Sequence, residues 1–232
     1  MEILGFIPAR GGSKGIPGKN LVKLNGYPLI HYTIKEALSS RRISRLILST
    51  EDNEIATIAK KMGAEIPFLR PVELAQDNSI IEDAIKHLLN ELRKKEAYRP
   101  DIIALLHPTT PLRTKKHIDE SIDLFIKSET DTVVSVSPPM EHPAEMVYFD
   151  EEKMKFLMDI DTRKKQRQQY PECYFINGAI YVFSLDSFEK YGNRIGERVV
   201  PYFMKSIESI DIDTMDDLVI SELLIKHLHS IS

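Results

Sequence analysis

Cysteine is almost absent: Cys173 stands alone among 232 residues, so no intrachain disulfide can form and packing must hold the fold. That usage suits a reducing compartment, and a cytoplasmic protein is expected. An excess of positive charge is also missing. Lys and Arg number 31 against 35 Asp and Glu, a formal net charge of −4, which argues against nucleic acid as a partner. Long hydrophobic runs are lacking as well. The first apolar run, Ile3 to Ile7, stops at Pro8 and is too short for a signal-peptide core, and no segment approaches the length of a bilayer span. No membrane association is expected. What the chain does hold is 42% hydrophobic and 28% charged residues, enough for a substantial core beneath a hydrated surface.

The apolar residues fall into an alternation of short β-branched runs and helical spacings, the pattern of a mostly parallel sheet with helices on both faces. Strands are expected at Ile3 to Ile7, Ile43 to Ser49, a short piece near Glu65 to Phe68, Ile102 to Leu106, Thr132 to Ser137, Asn177 to Phe183 and Ile207 to Ile212. Between them, Leu29, Ile30, Thr33, Ile34 and Ala37 share one helical face, as do Ile55, Ile58, Ala59 and Met62 before a terminating Gly63. A long helix is expected from Ser79 to Lys95, another around Ile118, Ile122, Phe125 and Ile126, and a last one carrying Leu218, Ile220, Leu223, Leu224 and Leu228. The rhythm breaks from Pro138. Residues 139–175 contain Pro139, Pro143 and the charged run Arg163 to Gln169, and read as an arm inserted into one domain spanning 1–232.

Four of the ten glycines, at 11, 12, 15 and 18, crowd into Pro8 to Asn20, directly after the first strand. In an open α/β sheet, ligands bind beyond the carboxyl ends of the strands. Glycines there let backbone N–H groups approach phosphate oxygens closely, and Arg10, Lys14 and Lys19 add positive charge. Two rival loops fail on spacing. A Walker loop needs glycine where Ser13 stands and Ser or Thr where Asn20 stands, and no Gly-x-Gly-x-x-Gly is present. A glycine cluster that merely shapes a turn would not need three cations.

Asp211 and Asp213, two apart on the expected last strand, would share a face. Paired carboxylates repel unless neutralised, and a hard divalent cation does that. Asp213-Thr214 also suits a helix cap. Arg70 before Pro71 could be a surface cation, and His107 at a strand end could be a core histidine or a pocket residue. The run Arg163 to Arg167 reads as a solvated face, and Cys173 as a small apolar residue.

Read as Ile-Pro-Ala-Arg-Gly-Gly-Ser-Lys-Gly-Ile-Pro-Gly-Lys-Asn, residues 7–20 resemble the signature of the acylneuraminate cytidylyltransferases. The resemblance continues, in family order, through Arg70 to Ala75, His107 to Arg113, Asn177 to Tyr181 and Ser209 to Thr214. It implies a Rossmann-like α/β fold and a homodimer built through the arm. It also implies a reaction in which CTP and a nonulosonic (sialic-type) acid give a CMP-sugar and pyrophosphate, with Mg2+ as cofactor. By similarity Ala9, Arg10, Gly11, Gly12, Ser13, Lys14, Lys19, Asn20 and Arg70 bind the nucleotide, with Arg10 and Lys19 on the triphosphate. Asp211 and Asp213 serve the metal, and Arg10, Lys19 and Asp211 carry catalysis. His107, Arg113, Arg167 and Asn177 fall to the sugar, Arg167 reaching it from the arm.

Three departures lie on the sugar side. His107 and Thr110 replace the family's usual Gln and Ser, Glu145 stands where lysine is common, and Phe175-Ile176 where arginine is common. Two of these lose a cation that would pair with an acidic sugar. The readings are therefore a modified nonulosonic acid such as a legionaminate, another sugar as in the Kdo-type enzymes, a different base in place of cytosine, or a catalytically silent homologue.

Overall fold

A computed structural model describes residues 1–158, 164 and 166–231, without the side chains of 167 and 228–231. The apolar runs become β1 (Ile3–Pro8), β4 (Arg45–Ser49), β5 (Ile102–Leu106) and β6 (Thr132–Ser137), and a small pair, β2 (Lys23–Leu24) and β3 (Tyr27–Pro28), precedes β4. After the arm hairpin β7 (Val147–Asp150) and β8 (Lys153–Phe156), the chain returns as β9 (Phe175–Ser184) and ends its sheet with β10 (Val199–Phe203). The main sheet runs β10-β6-β9-β5-β1-β4. Five of its strands point one way, and β9 alone runs antiparallel to both neighbours, β5 and β6.

Helices α1 (Leu29–Leu38), α2 (Asn53–Lys61) and α4 (Lys115–Lys127) cover one face of the sheet, and α3 (Ile81–Glu96) with α5 (Leu185–Tyr191) covers the other. Successive strand residues point to opposite faces, so Ile3, Ile7, Leu46 and Ala104 join the first core while Leu4, Phe6, Ile47 and Ile103 join the second. α6 (Met215–Ile231) closes a third, smaller core in which Ile16 of the glycine loop meets Ile212, Leu218 and Ile225. That contact ties the loop to the acidic segment.

Two expected strands are not formed, and one edge strand was not expected. The run Ile207 to Ile212 is not a strand: Ser206–Ser209 forms a 3-10 turn, and the Ile212 N–H donates to the Thr109 carbonyl at 2.9 Å. The two aspartates therefore do not share a strand face. The sheet's edge is instead β10, whose Pro201 hides a strand pattern but is tolerated where one side has no ladder partner. Near residue 65 only a single bridge, Ile47 to Glu65, extends the β4 edge. Between β6 and β9 the chain forms β7–β8 as a separate two-stranded sheet that exposes Tyr148, Phe149 and Met154.

Candidate active site

β1, β4 and β5 are adjacent and parallel, so the loops after Pro8, Ser49 and Leu106 emerge side by side at their carboxyl ends. The Ala9 N–H donates to the Ser49 carbonyl at 3.0 Å, fixing where the glycine loop begins. The Asn20 side-chain amide donates to the Arg10 carbonyl at 2.8 Å, closing the loop on itself. Gly18, at φ +61°, starts the turn that carries Lys19 and Asn20. At Gly15 a β-carbon would sit 2.2 Å from the Asp213 carbonyl oxygen, so only glycine permits this approach of loop and acidic segment.

Between these loops lies a cavity of about 310 Å³ whose lining includes Arg10, Gly12, Ser13, Lys19, Asn20, Arg70, His107 and Thr109. Arg70 is 6% exposed. Its guanidinium meets Glu51 at 2.8 Å, and the other Glu51 oxygen accepts the Gly11 N–H at 2.6 Å. Arg70 Nε and Asn20 Oδ1 are buried without a partner. A buried unpaired donor or acceptor costs about 1–3 kcal/mol, and here one of each lies on residues lining the same cavity.

The loop cations all have carboxylate partners. Arg10 reaches Asp77 at 3.1 Å and Lys14 reaches the same carboxylate at 3.3 Å. Lys19 Nζ donates to the Ile212 carbonyl at 2.8 Å and to Asp213 at 2.7 Å. Asp211 accepts from the Thr109 hydroxyl; burial and the neighbouring Asp213 charge push its pKa above the usual carboxylate range. The cap of α6 is made by Thr214 and Asp217, whose carboxylate takes the N–H groups of Asp213 and Thr214 at 3.1 and 2.8 Å. Asp213's own carboxylate turns to Lys19, so its capping role falls away.

Magnesium is held by one or two carboxylates completed by substrate phosphates and water. Asp211 and Asp213 supply two carboxylates near Lys19, which pairs with Asp213 at 2.7 Å. The donor set fits.

The sugar-side candidates separate. His107 lines the cavity with its ring edge-on to Tyr181 at 6.1 Å; burial, Arg194 and Arg113 push its pKa down to about 4, leaving it neutral at working pH. Arg113 does not line this cavity. It is 1% exposed and donates to the His107 and Ala179 carbonyls at 2.9 Å and to the Thr110 and Thr33 hydroxyls at 2.8 and 2.5 Å. Burial pushes its pKa down to about 9. The expected sugar contact is thus an internal strut behind the 107–113 loop. Asn177 is also internal: it donates to Ser209 Oγ at 2.9 Å and accepts from Ser135 Oγ at 2.6 Å, joining β9 to β6 and the 206–209 turn. The Arg167 side chain and much of the run from Arg163 lie outside the described residues. Sequence reading passed over Glu51, Asp77 and Thr109. Asp77 stands two residues beyond the Arg70 to Ala75 block, and no pattern singles out Glu51 from the neighbouring Asp52 and Glu54 that begin the next helix.

A family described as Cytidylyltransferase matches residues 4–214. The chain is 34% identical over 231 residues to CMP-N,N'-diacetyllegionaminic acid synthase of Legionella pneumophila, covering 97% of each chain. It is 30% identical over 230 residues to pseudaminic acid cytidylyltransferase of Campylobacter jejuni, covering 99% of this chain and 98% of that one. Among solved structures, CMP:2-keto-3-deoxy-manno-octonic acid synthetase complexed with CTP aligns with a TM-score of 0.72 over 98% of this chain and 99% of that one. At 15% identity this is a likeness of fold.

Proposed function

The chain belongs to the cytidylyltransferase family and is a nucleotidyltransferase; from that premise we propose that it joins the CMP unit of CTP to a nonulosonic acid. The anomeric hydroxyl attacks the α-phosphorus, the bond to the β-phosphate oxygen breaks, and pyrophosphate leaves. Nucleotidyl transfer rests on positioning and charge stabilisation. In this reading the glycine-loop N–H groups, Arg10, Lys14 and Lys19 take the phosphates, and Asn20 and Arg70 help fix the nucleotide. Asp211 and Asp213 would hold Mg2+, which when bound would supply charge neutralisation and a lowered pKa for the attacking hydroxyl. His107 and Thr109 border the acceptor side, and the neutral imidazole offers a hydrogen bond, not a charge.

The observation that carries this reading is the convergence of the glycine loop, Arg10, Lys19, Asn20 and Arg70 on one cavity beyond the carboxyl ends of β1 and β5, with Asp213 paired to Lys19 at 2.7 Å. The loss of two sugar-side cations, at Glu145 and Phe175-Ile176, favours a modified nonulosonic acid over N-acetylneuraminate. Similarity along full length to a legionaminic and a pseudaminic enzyme supports that choice. Homodimerisation through 139–175 and a cytoplasmic location belong to the same proposal. The exposed Phe149, Met154 and Phe175 of the arm support the dimer, since a partner would cover them.

A pyrophosphate-release panel tests the assignment, with four nucleoside triphosphates against N-acetylneuraminate, legionaminate and pseudaminate derivatives, with and without Mg2+. Release is expected with CTP and a diacetylated nonulosonic acid. Activity with GTP and none with CTP would overturn the nucleotide.

A further inference from the structure

We propose that Asp77 competes with pyrophosphate for Arg10 and Lys14, so that it loosens the enzyme's hold on its leaving group; the inference rests on the function proposed above. Each carboxylate oxygen takes one cation, Oδ1 on Arg10 at 3.1 Å and Oδ2 on Lys14 at 3.3 Å, much as a bridging phosphate would. Arg10 donates further to the Gln76 carbonyl at 3.0 Å, so it leans toward the 76–79 turn. These pairs lie where the nucleotide cavity meets a second one of about 380 Å³, which also touches Lys14, Glu51 and Val72. Asp77 spans the boundary between the two.

The contrast with Glu51 gives Asp77 its role. The Glu51–Arg70 pair is buried, with side chains 13% and 4% exposed, and belongs to the frame. Asp77 is half exposed and its partners are 34% and 77% exposed. Pairs so accessible are weak and exchangeable. A polyphosphate entering the cradle takes both cations and expels the carboxylate. As pyrophosphate departs, the carboxylate recloses on them. The two are rival anions for one pair of cations, and the position of Asp77 lowers affinity in return for release.

Isothermal titration of wild type, Asp77→Asn and Asp77→Ala with inorganic pyrophosphate and with CTP tests this. Both variants should bind pyrophosphate about three- to tenfold more tightly, the scale of two exposed ion pairs, and pyrophosphate should inhibit turnover at correspondingly lower concentration. In a Lys14→Met background, where one of the two pairs is gone, Asp77→Asn should tighten pyrophosphate by a smaller factor. Unchanged or weaker pyrophosphate binding in both variants, with CTP still binding to wild type, would refute the competition and leave the functional assignment standing. Failure of wild type to bind CTP or pyrophosphate at all would remove both.

Discussion

Replacing Gly15 by alanine tests whether the glycine loop and the acidic segment form one rigid unit. The added β-carbon would meet the Asp213 carbonyl oxygen at 2.2 Å, against an ordinary contact of about 3.4 Å, so the two backbones must part by roughly 1 Å. Lys19 spans the same gap, to the Ile212 carbonyl at 2.8 Å and Asp213 at 2.7 Å, and both contacts would stretch. The third core would open too, because Ile16 and Ile212 pack within it. Overpacking of this kind costs about 1–3 kcal/mol, which in a chain of this size lowers Tm by roughly 4–8 °C for 2 kcal/mol. Displacing catalytic groups by about 1 Å costs on the order of 10² in rate. Scanning fluorimetry and a pyrophosphate-release assay read the two effects separately. Gly12→Ala is the contrast: no atom lies within 4 Å of its would-be β-carbon, so its Tm should stay while nucleotide binding weakens. A Gly15→Ala protein with wild-type Tm and turnover would refute the coupling.

Lys19→Ala and Asp211→Ala should each lower kcat by on the order of 10²–10³ with the fold retained; wild-type turnover from either removes that residue from the mechanism. His107 is held near pKa 4 in the folded chain against 6.5 ordinarily, so the unfolded state binds its proton first. Its contribution is complete above pH 6.5 and fades as pH falls toward 4, by at most about 3 kcal/mol. His117, His31 and His87 shift the same way. Tm measured from pH 7 to 4 should therefore fall, and His107→Gln should flatten that fall; an unchanged profile would contradict the burial. Arg113→Lys, which loses the fork holding two carbonyls, should destabilise by about 2 kcal/mol, and an unchanged urea midpoint would show the strut is dispensable.

The apolar spacing revealed five of the six main-sheet strands and most helices because burial on both faces leaves a strong signal in local sequence. β10 escaped because an edge strand alternates weakly and carries a proline; the expected strand at 207–212 was apolar for another reason, since Ile212 plugs the small core under α6. Arg113 and Asn177 sit in family-like blocks, yet their side chains turn inward to satisfy buried carbonyls and hydroxyls. A motif states which residue is present, and only packing states where it points.

Local order along the chain was enough to place a glycine-rich, cationic loop directly after β1 and to motivate its reading as a phosphate cradle. Tertiary structure alone decided what those cations do in the free protein. Lys19 meets Asp213, 194 residues away, and Arg10 and Lys14 meet Asp77 more than sixty residues on. Such pairings depend on which loops the sheet order brings to the same edge, and a strand order that sets β1 between β4 and β5 is a property of the packed whole.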